Sequence, residues 1–302
     1  MHKYLGIPYA QAPIGQLRFK PPKVVTRYKD QECFDFGAEC PQLPFGNPNS
    51  QEVKGSEDCL FLNVFTIPAP ENSTVLKPVM VWIHGGGFTL GSGQIYDPTP
   101  LVQEGVIVVT INYRLAGLGF LTFGDDIVPG NMGLRDQVEA IKWTKRFIYY
   151  FGGDPSRITI FGESAGAVSV NALQMSPMST GLISGAIAQS GTVFLSAINR
   201  ESRPERIAPI IGAKFNCTNL YGNTRLLKCL QQVPMADFVL NTQSEELSLE
   251  LNDFEIGTIW APVQDSYSSD PVLPIDGLEA YLSGDFNKVP MMTGITTRLL
   301  II

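Results

Sequence analysis

The sequence predicts an α/β protein whose mostly parallel central sheet carries helices on both faces. Two observations predict it. From residue 79 onward, short apolar runs alternate with helix-compatible segments, the order that builds parallel strands joined by crossover helices. The first of these runs, residues 79–83, is also apolar at every position instead of every second one, as a strand covered on both faces requires.

Residues 79–83 form the first such run and lead into Gly85-Gly86-Gly87; residues 106–111 form the second. Residues 131–150 then read as a helix, because Leu134, Val138, Ile141 and Ile148 recur on one face. Gly152-Gly153-Asp154-Pro155 breaks it. A third strand is expected over 157–161, a small-residue helix from about Ala165, and a fourth strand over 183–188. Residues 1–78 are rich in proline, glycine and turn dipeptides, with strand-like pieces such as 60–65. Neither a repeat nor a linker divides the chain, so one domain is expected over 1–302.

Composition excludes several classes. With 44% apolar and 17% charged residues, the 302-residue chain can bury a core and is not a disordered chain. Lysine and arginine total 22 against 29 acidic residues, a formal charge of −7, and no basic cluster occurs, which argues against nucleic acid as a partner. The apolar runs fall far below the ~20 residues of a membrane helix. His2 and His84 are far apart and none of the five cysteines forms a C-x-x-C pair, so neither a metal nor another cofactor is expected. On their own, the cysteines are equally compatible with buried thiols in a cytosolic protein. Asn72-Ser73-Thr74 and Asn216-Cys217-Thr218 are glycan-acceptor tripeptides and tilt the balance toward a secretory compartment, although no apolar leader precedes Tyr4 to Tyr9.

The chemistry is carried by Gly162-Glu163-Ser164-Ala165-Gly166, a G-x-S-x-G motif between an expected strand and an expected helix. That context makes a strained turn that lifts a serine hydroxyl above the sheet edge, with glycines where the turn crowds its neighbours. The alternative is an ordinary glycine-rich turn. A second motif decides between them. His84-Gly85-Gly86-Gly87-Phe88 follows the first strand directly, and glycine-rich backbone turned inward presents N–H groups to a developing oxyanion. With the residue after the serine, the expected donors are Gly86, Gly87 and Ala165. A phosphate loop is excluded by the missing Gly-Lys-Ser/Thr. His84 is expected to orient this loop; as a base it would lie on the wrong element.

Taken together, these motifs resemble the type-B carboxylesterases, the branch of the α/β-hydrolases that includes cholinesterases and insect juvenile-hormone esterases. The resemblance spans nearly the whole chain. It is carried by Gly6-Ile7-Pro8-Tyr9-Ala10, Leu17-Arg18-Phe19, the stretch from Ser56-Glu57-Asp58-Cys59 to Asn63, Asn112-Tyr113-Arg114, Gly117-Leu118-Gly119-Phe120, the stretch from Gly130-Asn131 to Arg135-Asp136-Gln137, Phe151-Gly152-Gly153-Asp154-Pro155 and Gln189-Ser190-Gly191. It implies an α/β-hydrolase fold and a small-molecule ester substrate, with Ser164 as nucleophile and Gly86, Gly87 and Ala165 as oxyanion hole. It further implies disulfides Cys40–Cys59 and Cys217–Cys229, with Cys33 left over, and secretion or residence in the endoplasmic reticulum lumen.

The chain also departs from the family. The triad order in this fold is serine, acid, histidine, and no histidine follows Ser164. The family's acid belongs in a Gly-x-x-x-x-Glu-Gly segment, where this chain has Gly294-Ile295-Thr296-Thr297-Arg298-Leu299-Leu300 and so places Leu299 at the acid position. Asp265, Asp276 and Asp285 do not match that position. The expectation is therefore a partial esterase domain lacking N-terminal edge strands, C-terminal portion, triad acid and histidine. The segment before Ser56 holds Phe45 but no tryptophan, so neutral carboxylic esters are expected over choline esters; Trp82, Trp143 and Trp260 read as core. The competing class is a non-catalytic binding or adhesion module, or an unstable fragment; an intact Ser164 with its glycines favours the enzyme.

Overall fold

Every strand from 79 onward that the apolar runs predict is present, and each sits next to a parallel neighbour. The computed structural model describes residues 1–26, 32–47, 50–68, 74–194, 204–218, 222–243 and 260–296, with the side chains of 204–206 left aside. Asn72 and Leu299 lie outside the described residues. Seven described strands form one sheet: β1 (His2–Pro8), β2 (Phe61–Thr66), β3 (Lys77–Ile83), β4 (Ile107–Ile111), β5 (Gly153–Glu163), β6 (Gly185–Gln189) and β7 (Met291–Gly294). Their order is β1-β2-β4-β3-β5-β6-β7. From β4 to β7 all neighbours are parallel, whereas β1 and β2 add antiparallel pairings at one edge.

Two cores lie on opposite faces. Val79, Val81 and Ile83 of β3 point into the larger one with Ile107, Val109 and Ile111 of β4 and Ile158 and Ile160 of β5. The intervening Trp82 joins Leu5, Phe65, Val102, Val108 and Phe161 in the smaller one, where its ring lies 4.8 Å from that of Phe161. The long helix α3 (Met132–Phe147) and the fully buried α4 (Ala165–Met175) pack against the sheet, and the short α1 (Thr99–Gln103) supplies Val102 to the smaller core. A strand covered on both faces has no polar face to show, which is why β3 is apolar without a break from residue 79 to 83. Trp82, Trp143 and Trp260 are all buried, as expected of core residues.

Boundaries differ from the sequence expectation for local reasons. Asn131 does not start α3; its backbone is left-handed at φ 56°. Its side chain instead clasps residue 263, donating to the Val263 carbonyl at 2.7 Å and accepting from the Val263 N–H at 2.9 Å. At its other end α3 stops at Phe147 and tightens into a 3₁₀ turn over Ile148–Phe151. Strand β5 begins at Gly153, ahead of the expected 157, because Lys77 pairs with Gly153 across an irregularity in the ladder. The turn-rich N-terminal segment also contains β1, an edge strand.

Two buried ion pairs tie distant motifs together. Arg114, just past β4, donates to Asp136 of α3 through Nε and Nη2, both at 2.7 Å, and through its own backbone N–H at 3.0 Å. Arg18 engages Glu57 through Nε at 2.6 Å and Nη2 at 2.5 Å. Disulfides join Cys40 to Cys59 and Cys217 to Cys229; Cys33 is outside both.

Arg114 and Asp136 retain only 3% and 0% side-chain exposure. Arg114→Met should therefore strand a buried carboxylate and cost about 3–5 kcal/mol. Urea unfolding at neutral pH would show it; a midpoint shift equal to that of an exposed arginine would refute the buried-pair account.

Candidate active site

Ser164 sits where β5 turns into α4, and its backbone is forced into an unusual conformation with φ 56° and ψ −123°. Non-glycine residues rarely adopt positive φ, and such strain persists only where the surroundings over-determine it. Here they do. The Ser164 N–H donates to the Gln189 carbonyl of β6 at 2.9 Å, and its own carbonyl accepts from Val168 N–H at 3.0 Å. The register aligns Ile83 with Gly162 and Glu163 with Gln189, so three strands end level beneath the serine.

The flanking glycines are there for space. A Cβ at Gly162 would lie 2.6 Å from the Gly166 carbonyl carbon and 2.7 Å from the Ile83 oxygen; one at Gly166 would lie 2.1 Å from that same oxygen. At Gly191 a Cβ would meet the Ser164 carbonyl oxygen at 2.4 Å. At Gly162 and Gly166 the obstructing atoms are all main chain, so the first turn of α4 can lie on the end of β3 only without side chains there.

The loop after β3 lies against the same point. A Cβ on Gly85 would lie 2.6 Å from the Glu163 carbonyl oxygen and 3.2 Å from the Ser164 Cβ. Gly86, Gly87 and Phe88 all have positive φ, at 106°, 59° and 61°. Among the described residues the N–H groups of Gly86, Gly87 and Ala165 donate to no carbonyl or side chain. Helix and strand ladders therefore leave these three donors unused, two in the loop that meets the serine at Gly85 and one on the residue after it.

His84 is fully buried and stacked on Tyr113, with ring centroids 4.3 Å apart and planes 17° apart. Its Nδ1 lies 2.8 Å from the Gly85 carbonyl oxygen, which can only accept, so Nδ1 carries the proton. Nε2 has no partner. Burial pushes the imidazole down from its ordinary 6.5 to about 4, so it is neutral at physiological pH. Tyr113 holds the loop from the other side by donating to the His84 carbonyl at 2.9 Å. Gln42 brackets Gly91, accepting from its N–H at 2.8 Å and donating to its carbonyl at 3.0 Å. Gly91 is needed there because a Cβ would reach within 2.4 Å of His84 Nδ1. Tyr113, Gly91 and Gln42 are supports that motif spacing does not announce.

Other sequence-predicted residues lie elsewhere. His2 is on β1, with β2, β4 and β3 between it and β5. Asp265 is buried and engaged, accepting from Arg135 at 3.2 Å and from the backbone N–H groups of Val272 and Leu273 at 3.0 and 2.7 Å. Asp276 caps α8 (Gly277–Ser283) by accepting from Leu278 and Glu279 N–H. Phe45 is 88% exposed. Among the described residues no trio of His, Cys, Asp or Glu could hold a metal ion, and no helix is long and apolar enough to cross a membrane.

A strained serine elbow on a mostly parallel sheet, faced by a glycine loop, defines the α/β-hydrolase fold. The profile described as "Carboxylesterase family" matches residues 1–300. Venom carboxylesterase-6 of Apis mellifera is 38% identical over 298 residues, covering 98% of this chain and 52% of that protein. Carboxylesterase 1D of Rattus norvegicus is 40% identical over 319 residues, with 98% and 54% covered. Juvenile hormone esterase from Manduca sexta, solved with OTFP covalently attached, superposes with a TM-score of 0.82 at 31% identity, covering 96% of this chain and 54% of that one. The chain thus belongs to the carboxylesterase family, and it spans about half the length of the curated relatives it matches.

Two outcomes follow from the geometry. Gly166→Ala should be destabilising by about 3 kcal/mol or more, the upper end for overpacking, because the obstructing atom is backbone. Thermal unfolding measures it, and a wild-type midpoint would contradict the close approach. His84 separately makes stability depend on pH. The unfolded chain takes up its proton near 6.5 and the folded chain near 4, so stability is fully present above 6.5 and falls as pH drops through that window, by about 3 kcal/mol in all. His84→Gln should flatten that fall; an unchanged pH profile of unfolding would show that the ring is not buried neutral.

Proposed function

We propose that the chain carries the nucleophile and oxyanion hole of a serine carboxylic-ester hydrolase acting on neutral esters. In this reading Ser164 Oγ attacks the ester carbonyl carbon. The carbonyl oxygen gathers negative charge and receives the N–H groups of Gly86, Gly87 and Ala165. Expulsion of the alcohol leaves an acyl group on Ser164, and water releases it. The observation that carries the reading is the serine at positive φ, met by a glycine loop whose Gly86 and Gly87 N–H groups, like that of Ala165, are unused among the described residues. Donors fixed before reaction need no reorganisation as charge develops, and each is worth about 10²–10³ in turnover in a serine protease. The covalent adduct on the Manduca sexta relative agrees with an acyl-enzyme route. An exposed Phe45 offers no desolvated face for a quaternary ammonium, which favours neutral esters.

Ser164 still needs a base. His84 does not serve, since its ring is fully enclosed and burial disfavours the protonated form that a base must become. His2 stands on the far edge strand. The 302-residue polypeptide therefore supplies only part of the machinery on this reading. A lumenal or secreted address is favoured by its two disulfides and by the word venom in the name of the Apis mellifera relative.

On a short aryl ester, the polypeptide alone should reach no more than about 10³–10⁴ over the water reaction, with little further loss in Ser164→Ala, because a nucleophile without its base contributes little. Joined to the C-terminal part of a relative such as Carboxylesterase 1D, it should turn over efficiently, and Ser164→Ala should then remove about 10⁶ of the rate. A fast chimera indifferent to Ser164→Ala would sink the nucleophile assignment, and fast turnover by the polypeptide alone would sink the missing-base argument.

A further inference from the structure

Helix α5 (Pro204–Lys214) ends in a left-handed cap that coincides with a glycan-acceptor tripeptide. Asn216 takes the left-handed position, at φ 54°. Its N–H donates to the Ala213 carbonyl at 3.1 Å, and the Cys217 N–H donates to the Gly212 carbonyl at 2.8 Å. That pair of bonds is the Schellman pattern, in which asparagine is the usual substitute for glycine. Gly212 is required because a Cβ there would meet the Cys217 carbonyl oxygen at 2.5 Å. Cys217 is then bonded through sulfur to Cys229 of α6 (Asn223–Leu230), with Cα atoms 5.7 Å apart. Next to it, Phe215 stacks on Phe238 of α7 (Met235–Thr242), with centroids 5.5 Å apart. The side chains of Asn216 and Thr218 are exposed, whereas Cys217 between them keeps only 4% of its surface.

A transferase that modifies Asn-x-Thr must take the main chain of all three residues into its own groove. The folded tripeptide presents two side chains and withholds the backbone that joins them. We propose that Asn216 is a glycan acceptor only until Cys217 and Cys229 close their disulfide, so that closure ends the period of modification. The inference rests on the lumenal address proposed above. In the transfer, the Asn216 side-chain nitrogen bonds to the anomeric carbon of a lipid-pyrophosphate-linked oligosaccharide. The bond from that carbon to the pyrophosphate breaks, the lipid pyrophosphate departs, and the amide gives up one proton. In the closure, two thiols lose two electrons and two protons to the disulfide of a lumenal thiol oxidoreductase.

Chain order sets up the race. Cys217 precedes Cys229 by 12 residues, so at 5–20 residues per second the acceptor enters the lumen roughly 0.6–2.4 s before closure is possible. Disulfide formation itself takes seconds or longer. The two reactions therefore overlap in time, and partial occupancy is the natural outcome.

The test is translation of the full chain behind a supplied secretion signal in the presence of microsomes, with Asn72→Gln as background so that Asn216 is the remaining acceptor. The supplied signal fixes the address, so failure falls on the acceptor and not on the proposed localisation or on Ser164. Occupancy is read as a glycosidase-sensitive gel shift that Asn216→Gln abolishes. Cys229→Ala leaves the tripeptide intact and should convert the shifted band from minority to majority. Dithiothreitol added to the unmutated cysteine framework should do the same without any substitution. The double variant Cys40→Ala/Cys59→Ala should leave the fraction unchanged, since that disulfide joins no residue of the tripeptide or of α5 and α6. Equal occupancy with and without Cys229 or reductant, whether complete or zero, would overturn the proposal, as would an equal rise in the Cys40→Ala/Cys59→Ala variant.

Discussion

Everything at the site depends on one steric constraint, the contact of the first turn of α4 with the C-terminal end of β3. The two main chains approach so closely that the Ile83 carbonyl oxygen occupies the place a Cβ on either Gly162 or Gly166 would need. Close approach is possible only with glycine, and it leaves Ser164 no room to relax out of positive φ. The strain is held by the ladder on both sides. Strand β3 fixes Gly162 through Ile83, and β6 fixes the serine through the Gln189 carbonyl. Were β3 or β6 shifted by one residue, the elbow would lose its walls.

The buried charges frame this constraint from outside. Arg114 and Asp136 lock the end of β4 to α3, and Arg114 Nη1 reaches back to the Lys20 carbonyl at 2.7 Å. Arg18, two residues earlier than Lys20, binds Glu57 and sends Nη1 to the Val233 carbonyl at 2.5 Å, near the start of α7. The N-terminal segment, β4, α3 and the α6–α7 region are thereby fastened by two arginines. Buried ion pairs of this kind add little net stability relative to apolar packing, yet a missing partner is severely penalised. They therefore act as a check on assembly, since a misplaced segment leaves a buried charge bare. The short stretches of sequence that carry the family resemblance at residues 18, 57, 114 and 136 are these two pairs.

How much of this is legible in the sequence follows from what each element buries. Strands β3 and β4 read clearly because both faces are covered, and α3 and α4 because their apolar periodicity or small-residue content has no other use. Strands β1 and β7 do not read. They sit at the sheet edges, and Met291 to Gly294 are all exposed, so no apolar pattern marks them. The elbow and the glycine loop read because their chemistry needs glycine at fixed spacing. The supports of that loop do not. Gln42 and Tyr113 act on main-chain atoms of residues 91 and 84, and contacts of that kind place no demand on spacing along the chain. Asn131 is a case where local pattern misleads: it extends the helical stretch in sequence, but folds left-handed to clasp residue 263.

The proposed chemistry has two parts with different physical needs. Nucleophile position and oxyanion donors are backbone properties here, set by β3, β5, β6, α4 and the loop that His84 fastens. His84 does this as a neutral ring whose Nδ1 proton is spent on Gly85. The burial that disqualifies it as a base is also what makes it a stable fastener, because a solvated imidazole would titrate near neutrality and release the loop. A base, by contrast, is a side-chain property and must change protonation during the reaction, so it has to reach the serine hydroxyl from a less enclosed position. Preorganised charge stabilisation and proton transfer thus make opposite demands on burial, and no single histidine in this framework could satisfy both.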